Sequence, residues 1–231
     1  MFDAPSFEQY FNRITKIWMR LDTPQRTIPF CTPLRHDPEF LVIGTNHSNN
    51  FDPNDIVEND RIADAFSKEL PTQEHTLLDH HHPFAQGLKK IALEIQNDYT
   101  DFRVTRDWIG TNRCAIQTDS SGLGGLKRLD QYQACERDMD NLLLEFISFC
   151  KPRNIILTGM HACGLFYTDK KLKDMKPKKI LLGENSDETT NLIPIWHLSE
   201  LWRYDRYSGE SFKDKTIRRL KEAIEDGFCE L

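Results

Sequence analysis

The chain has 231 residues, 39% hydrophobic and 29% charged, with a mean hydropathy of −0.59. That length suffices for one sizeable core, and no apolar run approaches the roughly 20 residues that span a bilayer, which excludes a helical membrane protein. A formal net charge of −6 and a pI of about 5.8 argue against holding nucleic acid by overall charge, though not against a local basic face.

The start, Met1-Phe2-Asp3-Ala4-Pro5, lacks the basic residues and apolar stretch of a signal peptide, so a cytoplasmic location is the expectation. In the first element, 7–21, Tyr10, Phe11, Ile14, Trp18 and Leu21 recur at helical spacing. Residues 40–43 are apolar and halt at Gly44, which fits a buried parallel strand. The stretch 51–76 is polar and often broken, an excursion with one short helix expected at 60–69. Pro83 opens a helix whose Phe84, Leu88, Ile91 and Ile95 share a face. A second strand is expected at 104–109, leading into Gly110-Thr111-Asn112.

Three glycines in 122–125 predict a loop over 120–125, because glycine is costly inside a helix. A long helix over 129–150 should stop at Lys151-Pro152, since the residue before proline resists helical geometry. Residues 154–159 form the clearest buried strand, followed by a short helix at 161–166. Strands at 179–182 and 192–196 and a helix at 211–226 complete the chain, with Pro194 weakening the second of those strands. Strands alternating with helices imply right-handed crossovers and an α/β three-layer sandwich: one domain over 1–231, a mainly parallel sheet, and a loop insertion at about 51–82. In such sheets ligands sit beyond the carboxyl ends of the strands. That rule selects Gly44-Thr45-Asn46, Thr111-Asn112, Gly159-Met160-His161 and Trp196-His197.

Those strand ends, taken in order, resemble the uracil-DNA glycosylase superfamily. Ile43-Gly44-Thr45-Asn46-His47-Ser48 is similar to its first motif, and His82-Pro83-Phe84-Ala85-Gln86-Gly87 to the segment carrying the aromatic stacking residue in the iron–sulfur-type branch. Trp108-Ile109-Gly110-Thr111-Asn112-Arg113 resembles that branch's strand ending in Thr-Asn. The segment 134–159 is similar to its long helix, Lys/Arg-Pro turn and strand ending in glycine, and Ile195-Trp196-His197-Leu198-Ser199 to the last motif. The chain departs from the family where His47 and Leu198 replace motif prolines, and it lacks the branch's four cysteines, so neither a cluster nor any other cofactor is expected.

The resemblance implies a monofunctional DNA glycosylase that hydrolyses the N-glycosidic bond of uracil or another deaminated base. It implies that Asn46 holds the attacking water and His197 donates to the base carbonyl oxygen as charge collects there. Asn112 would read the pyrimidine edge with its acceptor and donor, and Phe84 would stack on the flipped base. Gly44, Thr45, His47 and Ser199 would complete the substrate site, with Leu201, Arg203 and Arg206 on the DNA. The expected partner is DNA containing a damaged base, met by a monomer away from membranes. Taken singly, each residue has a plainer structural role: asparagines at strand ends commonly cap turns, and Phe84 and Leu201 fit a core.

Two segments stand apart. Lys170, Lys171, Lys173, Lys176, Lys178 and Lys179 form either a solvated loop or a phosphate-contacting rim. In Asp79-His80-His81-His82, His80 and His82 share a side of an extended segment, and with His47 and His75 they offer metal ligands. No HExxH helix or cysteine pair accompanies them, and no metal is expected. Two further function classes follow: a divergent family member that binds a nucleobase, nucleic acid or protein without turnover, and a metal-dependent hydrolase centred on 75–82. Binding without product favours the first, and activity lost to chelators the second. The six cysteines, Cys31 among them, contain no CxxC pair and read as reduced, mostly buried thiols.

Overall fold

In the computed structural model, residues 7–21, 36–45, 47–48, 83–102, 104, 108–115, 117–118, 123–169, 171–183 and 187–229 are described. The helix expected at 60–69 lies outside them. The elements are α1 (Phe7–Met19), β1 (Phe40–Gly44), β2 (His47–Ser48), α2 (Pro83–Gln96), β3 (Trp108–Asn112), β4 (Gln117–Thr118), α3 (Leu123–Leu126), α4 (Tyr132–Cys150), β5 (Asn154–Thr158), α5 (Gly159–Cys163), β6 (Lys178–Leu181), β7 (Thr189–Ile195) and α6 (Phe212–Glu225).

A five-stranded sheet runs in the order β3-β1-β5-β7-β6. Its first four strands are parallel, and β6 pairs antiparallel with β7 at the edge. The α/β sandwich with a mainly parallel sheet is therefore present. β1 and the middles of β5 and β7 read as continuous apolar runs because both faces are covered. Leu41, Ile43, Ile109, Ile155, Leu157 and Leu192 face a core shared with α1 and α4, built around Tyr10, Trp18, Tyr132 and Phe146. Phe40, Val42, Trp108, Ile156, Ile193 and Ile195 face the opposite core, which takes in Leu88, Ile91 and Ile95 of α2 and Leu220 of α6. Each such side chain, buried completely, contributes roughly 1.5–3 kcal/mol relative to exposure.

Local signals set the helix ends. Lys151 adopts left-handed geometry (φ 49°), its N–H donates to the Ile147 carbonyl, and Pro152 follows, so α4 stops where expected. Ser211 caps α6, its hydroxyl oxygen accepting from the Asp214 N–H at 3.0 Å.

Three expectations need correction. The second strand spans 108–112 rather than 104–109, because Gly110, Thr111 and Asn112 stand in register with Val42, Ile43 and Gly44. Within the expected loop 120–125, residues from Leu123 onward form the one-turn helix α3. Leu126 anchors it at 4% exposure in the core, and that burial outweighs the roughly 1 kcal/mol cost of each helical glycine. The helix expected at 161–166 begins at Gly159, directly on leaving β5, and gives way to a turn after Cys163. The strand expected at 192–196 is present as β7, Thr189–Ile195, with Pro194 inside it. The proline fits because β6 pairs only with Thr189 to Leu192, so no neighbouring strand asks for the missing N–H, and the Pro194 carbonyl instead accepts from Arg219 Nη1 at 3.1 Å.

The described cysteines, Cys114, Cys135, Cys150, Cys163 and Cys229, are buried free thiols. Burial raises the Cys163 thiol to about 12 and pushes Cys150 up as well, so both stay protonated. Cys31 lies outside the described residues. Among the described residues no helix is long and apolar enough to cross a membrane.

Candidate functional site

Because β1, β3, β5 and β7 are parallel, their carboxyl ends open on one edge of the sheet. Gly44 closes β1 opposite Asn112, the last residue of β3. The ladder continues past both, with Arg113 N–H donating to the Gly44 carbonyl and Cys114 N–H to the Thr45 carbonyl, each at 3.0 Å. Asn112 is 5% exposed and lies across the Gly44 backbone. A Cβ on Gly44 would stand 2.2 Å from Asn112 Oδ1 and 3.4 Å from Phe84 Cε2, so a side chain here would displace the Asn112 amide. Phe84, on the first turn of α2, thus approaches the end of β1 at Gly44, the residue opposite Asn112. Its ring also meets the His197 ring edge-on, with centroids 6.4 Å apart.

His197 follows β7 and lies against the end of β5. Gly159 has φ +84°, a conformation open to glycine, and a Cβ there would come within 3.2 Å of His197 Cδ2. His197 Nδ1 and Ser199 Oγ are 2.7 Å apart. Burial lowers the His197 pKa, with nearby Glu200 opposing in part, so the imidazole is neutral at pH 7. When the Ser199 hydroxyl donates to Nδ1, the proton sits on Nε2 and the ring presents a donor on its other side.

Gly44, Phe84, Asn112, His197 and Ser199 are therefore gathered at one place, and Gly159 supplies the backbone floor beneath the imidazole. Asn46, the side chain of His47, and the 75–82 histidines lie outside the described residues. The backbone of His47 pairs with Gln117 in the short β2–β4 ladder. Among the described residues no three His, Cys, Asp or Glu side chains are gathered as metal ligands.

The three residues expected on DNA divide. Leu201 is 8% exposed and belongs to the core shared with α2 and α6. In this conformation it supports the fold instead of projecting from it, and its exposed neighbour is Trp202, at 73%. Arg203 pairs with Glu200 at 2.9 Å and lies over the Trp202 ring, 5.5 Å from its centroid. Arg206 is exposed. In the lysine run, Lys178 donates to the Phe166 carbonyl and sits 4.2 Å from the Tyr167 ring centroid, a structural use, while Lys171, Lys173, Lys176 and Lys179 are exposed.

Behind the strand ends lies a charged cluster that spacing alone does not reveal. Arg113, the residue after Asn112, forks onto Asp140 of α4 through Nε (2.8 Å) and Nη2 (2.7 Å). Its Nη1 donates to the His161 carbonyl of α5 at 2.7 Å. Desolvation alone would lower the Arg113 pKa, but the Asp140 contacts outweigh it and raise the value. One guanidinium thus ties the ends of β3 and β5 to α4.

His161 shows the opposite balance. Desolvation, then Arg113 and Lys127, lower its pKa to about 3. Glu136 Oε1 stands 3.7 Å from Nε2, too far for a hydrogen bond that would hold a proton there, so the ring is neutral. An unfolded histidine titrates near 6.5, so between pH 6.5 and about 3 the unfolded chain binds a proton that the folded chain excludes. This contribution is complete above pH 6.5 and is lost as the pH falls toward 3. In urea unfolding at pH 7, 6, 5 and 4, His161→Gln is expected to lose less stability than the parent, by up to about 1.4 kcal/mol per pH unit below 6. Equal slopes would refute a neutral, desolvated His161.

Comparison with known proteins finds no protein-family model that matches this chain and no curated protein whose sequence matches it.

Proposed function

We propose that this chain is a member of the uracil-DNA glycosylase superfamily and a monofunctional DNA glycosylase, hydrolysing the bond between deoxyribose and uracil or another deaminated base. The observation that carries the reading is the meeting of Phe84, Asn112 and a neutral His197 at one end of the sheet, from three segments far apart in sequence.

Base removal passes through a sugar with oxocarbenium character while negative charge gathers on the leaving base. A neutral imidazole that donates from Nε2 suits that charge: it stabilises the base oxygen without delivering a proton to it. The Ser199 contact on Nδ1 is compatible with this tautomer, the hydroxyl then donating to Nδ1. Asn112 offers an acceptor and a donor for a pyrimidine edge, and the Phe84 ring offers a stacking face. Asn46, two residues beyond Gly44, positions the water; an amide is too weak a base to abstract its proton. Arg206 and the exposed lysines of 171–179 supply phosphate contacts that net charge conceals. β6 runs antiparallel to β7, so this lysine run enters the sheet from the side of the strand ends, which is where DNA would lie.

A Schiff-base lyase step is not part of the reading. Lys151 precedes β5 at the other end of the sheet, where its Nζ pairs with Glu188 at 2.8 Å. The test is incubation with oligonucleotides carrying uracil, hypoxanthine or xanthine, with and without hot alkali. Abasic sites that break only after alkali are expected on at least one of them. Intact strands on all three substrates after alkali would end the proposal, and breakage without alkali would end its monofunctional part.

A further inference from the structure

Over its last residues β7 has a strand on one side only. β5 pairs with it through Pro194 and Ile195, whereas β6 reaches no further than Leu192. The segment that carries His197 leaves the sheet from this half-supported end. A side chain stands where the second strand is missing. Arg219 of α6 donates from Nη1 to the Pro194 carbonyl at 3.1 Å and to the Leu172 carbonyl at 3.0 Å. Its guanidinium carbon lies 4.7 Å from the centroid of the Trp196 ring. Phe212, Lys215 and Arg219 recur at helical spacing on α6, and all three meet that indole. Phe212 stacks on it with centroids 5.9 Å apart, and Lys215 Nζ lies 5.7 Å from its centroid.

The placing of this cation indicates its task. Arg219 is only partly exposed, and among the described residues its hydrogen bonds go to carbonyls and not to a carboxylate. Desolvation lowers its pKa, with Cys163, Glu222 and Tyr167 opposing in part. A half-buried cation without an ion pair is costly unless its donors meet acceptors that would otherwise be orphaned. The Pro194 carbonyl is such an acceptor, buried and beyond the reach of β6. On the far side of His197 the chain is fixed as well. Leu198 is 2% exposed, and its carbonyl lies against α2, where a Cβ on Gly87 would stand 2.3 Å from the carbonyl oxygen. With Trp196 and Leu198 both held and Gly159 beneath, the imidazole between them is placed by its neighbours. We propose that Arg219 is a positioning residue for His197, setting where the imidazole stands by holding the end of β7 and the Trp196 ring. Its consequence for base removal rests on the glycosylase reading, but its effect on the ring does not.

The test uses the full chain with isotope-labelled histidine, the His197 signals being assigned by their loss in His197→Ala. At pH 8, Arg219→Met is expected to shift and broaden the His197 Cδ2–H and Cε1–H signals. Those of His36, which packs on Phe149 before β1 at the opposite end of the sheet, should stay in place. The charge acting on His197 is that of Glu200, so a shift on removing Arg219 reports a moved ring and not a missing cation. Arg219→Lys keeps the charge on a shorter, non-planar head and should move the same signals less, which preserves the test if the methionine variant does not fold. Ile147→Val, in the core on the other face, should lower the melting temperature without moving them. Where the parent removes a base, Arg219→Met should lower kcat roughly 10-fold, leave KM nearly unchanged and add nothing in a His197→Ala background. His197 signals that stay put in both Arg219 variants, or that move equally in Ile147→Val, would overturn the proposal. So would an unchanged kcat, or equal slowing in the His197→Ala background. A parent that removes no base would end the glycosylase reading alone, and the spectra would still decide whether Arg219 places the ring.

Discussion

Asp140→Ala is expected to lower the stability of the fold by about 3 kcal/mol, close to the largest effect of any single substitution near the site. The carboxylate accepts two hydrogen bonds from Arg113, and the two side chains are only 19% and 13% exposed. Truncating Asp140 leaves a guanidinium that cannot lose its charge in a place with little water. Breaking a buried pair costs about 3–5 kcal/mol, and the residual exposure here sets the lower end. For a chain of this size that corresponds to a fall of about 6–12 °C in melting temperature. Arg113→Lys should also destabilise, because an ammonium cannot fork onto both carboxylate oxygens and also reach the His161 carbonyl. Arg113→Met combined with Asp140→Leu should recover part of the loss, since no charge is then stranded, leaving the His161 carbonyl as the unpaired group. Thermal unfolding of the parent, both single variants and the double variant checks this. An Asp140→Ala melt identical to the parent's would show that the pair ties nothing together.

The same pair shows where sequence reasoning reaches and where it stops. The apolar runs at 40–43 and 155–157 announce buried strands because both sheet faces demand hydrophobic side chains. The Lys151-Pro152 stop is legible because proline restricts its predecessor locally. Gly110, Thr111 and Asn112 look like the exit from a strand, since nothing local shows that β1 lies alongside to pair with them. Pro194 argues against a strand until one sees that β6 ends its pairing at Leu192. For the site, Asn112 and His197 are legible as residues at strand ends, and Phe84 only through the order of motifs. Their meeting depends on strand order, which no spacing encodes. The positive φ of Gly159, its contact with His197, and the 27-residue span from Arg113 to Asp140 arise only once the chain is folded. Leu201 illustrates the reverse: a position that the resemblance assigns to DNA is recruited by the core.

If uracil or another deaminated base is removed by the parent, His197→Ala is expected to slow that removal by about 100-fold, equivalent to ~3 kcal/mol. The loss belongs to kcat, because the donor meets full charge on the base oxygen only in the transition state. The pKa direction adds a second requirement. Burial lowers the imidazole's pKa from its ordinary value, so the neutral working form is already present at pH 8 and no group at position 197 needs to gain a proton. Single-turnover rates should therefore show no rise on acidification from pH 8 to 7. Ser199→Ala should cost far less, roughly 5-fold, the value of one neutral hydrogen bond of about 1 kcal/mol, by allowing the proton to sit on Nδ1 instead of Nε2. A rate that climbs as the pH falls toward 6 and loses that slope in His197→Ala would mean that the cation is the catalyst. A neutral donor would then be the wrong description even if the substrate were correct.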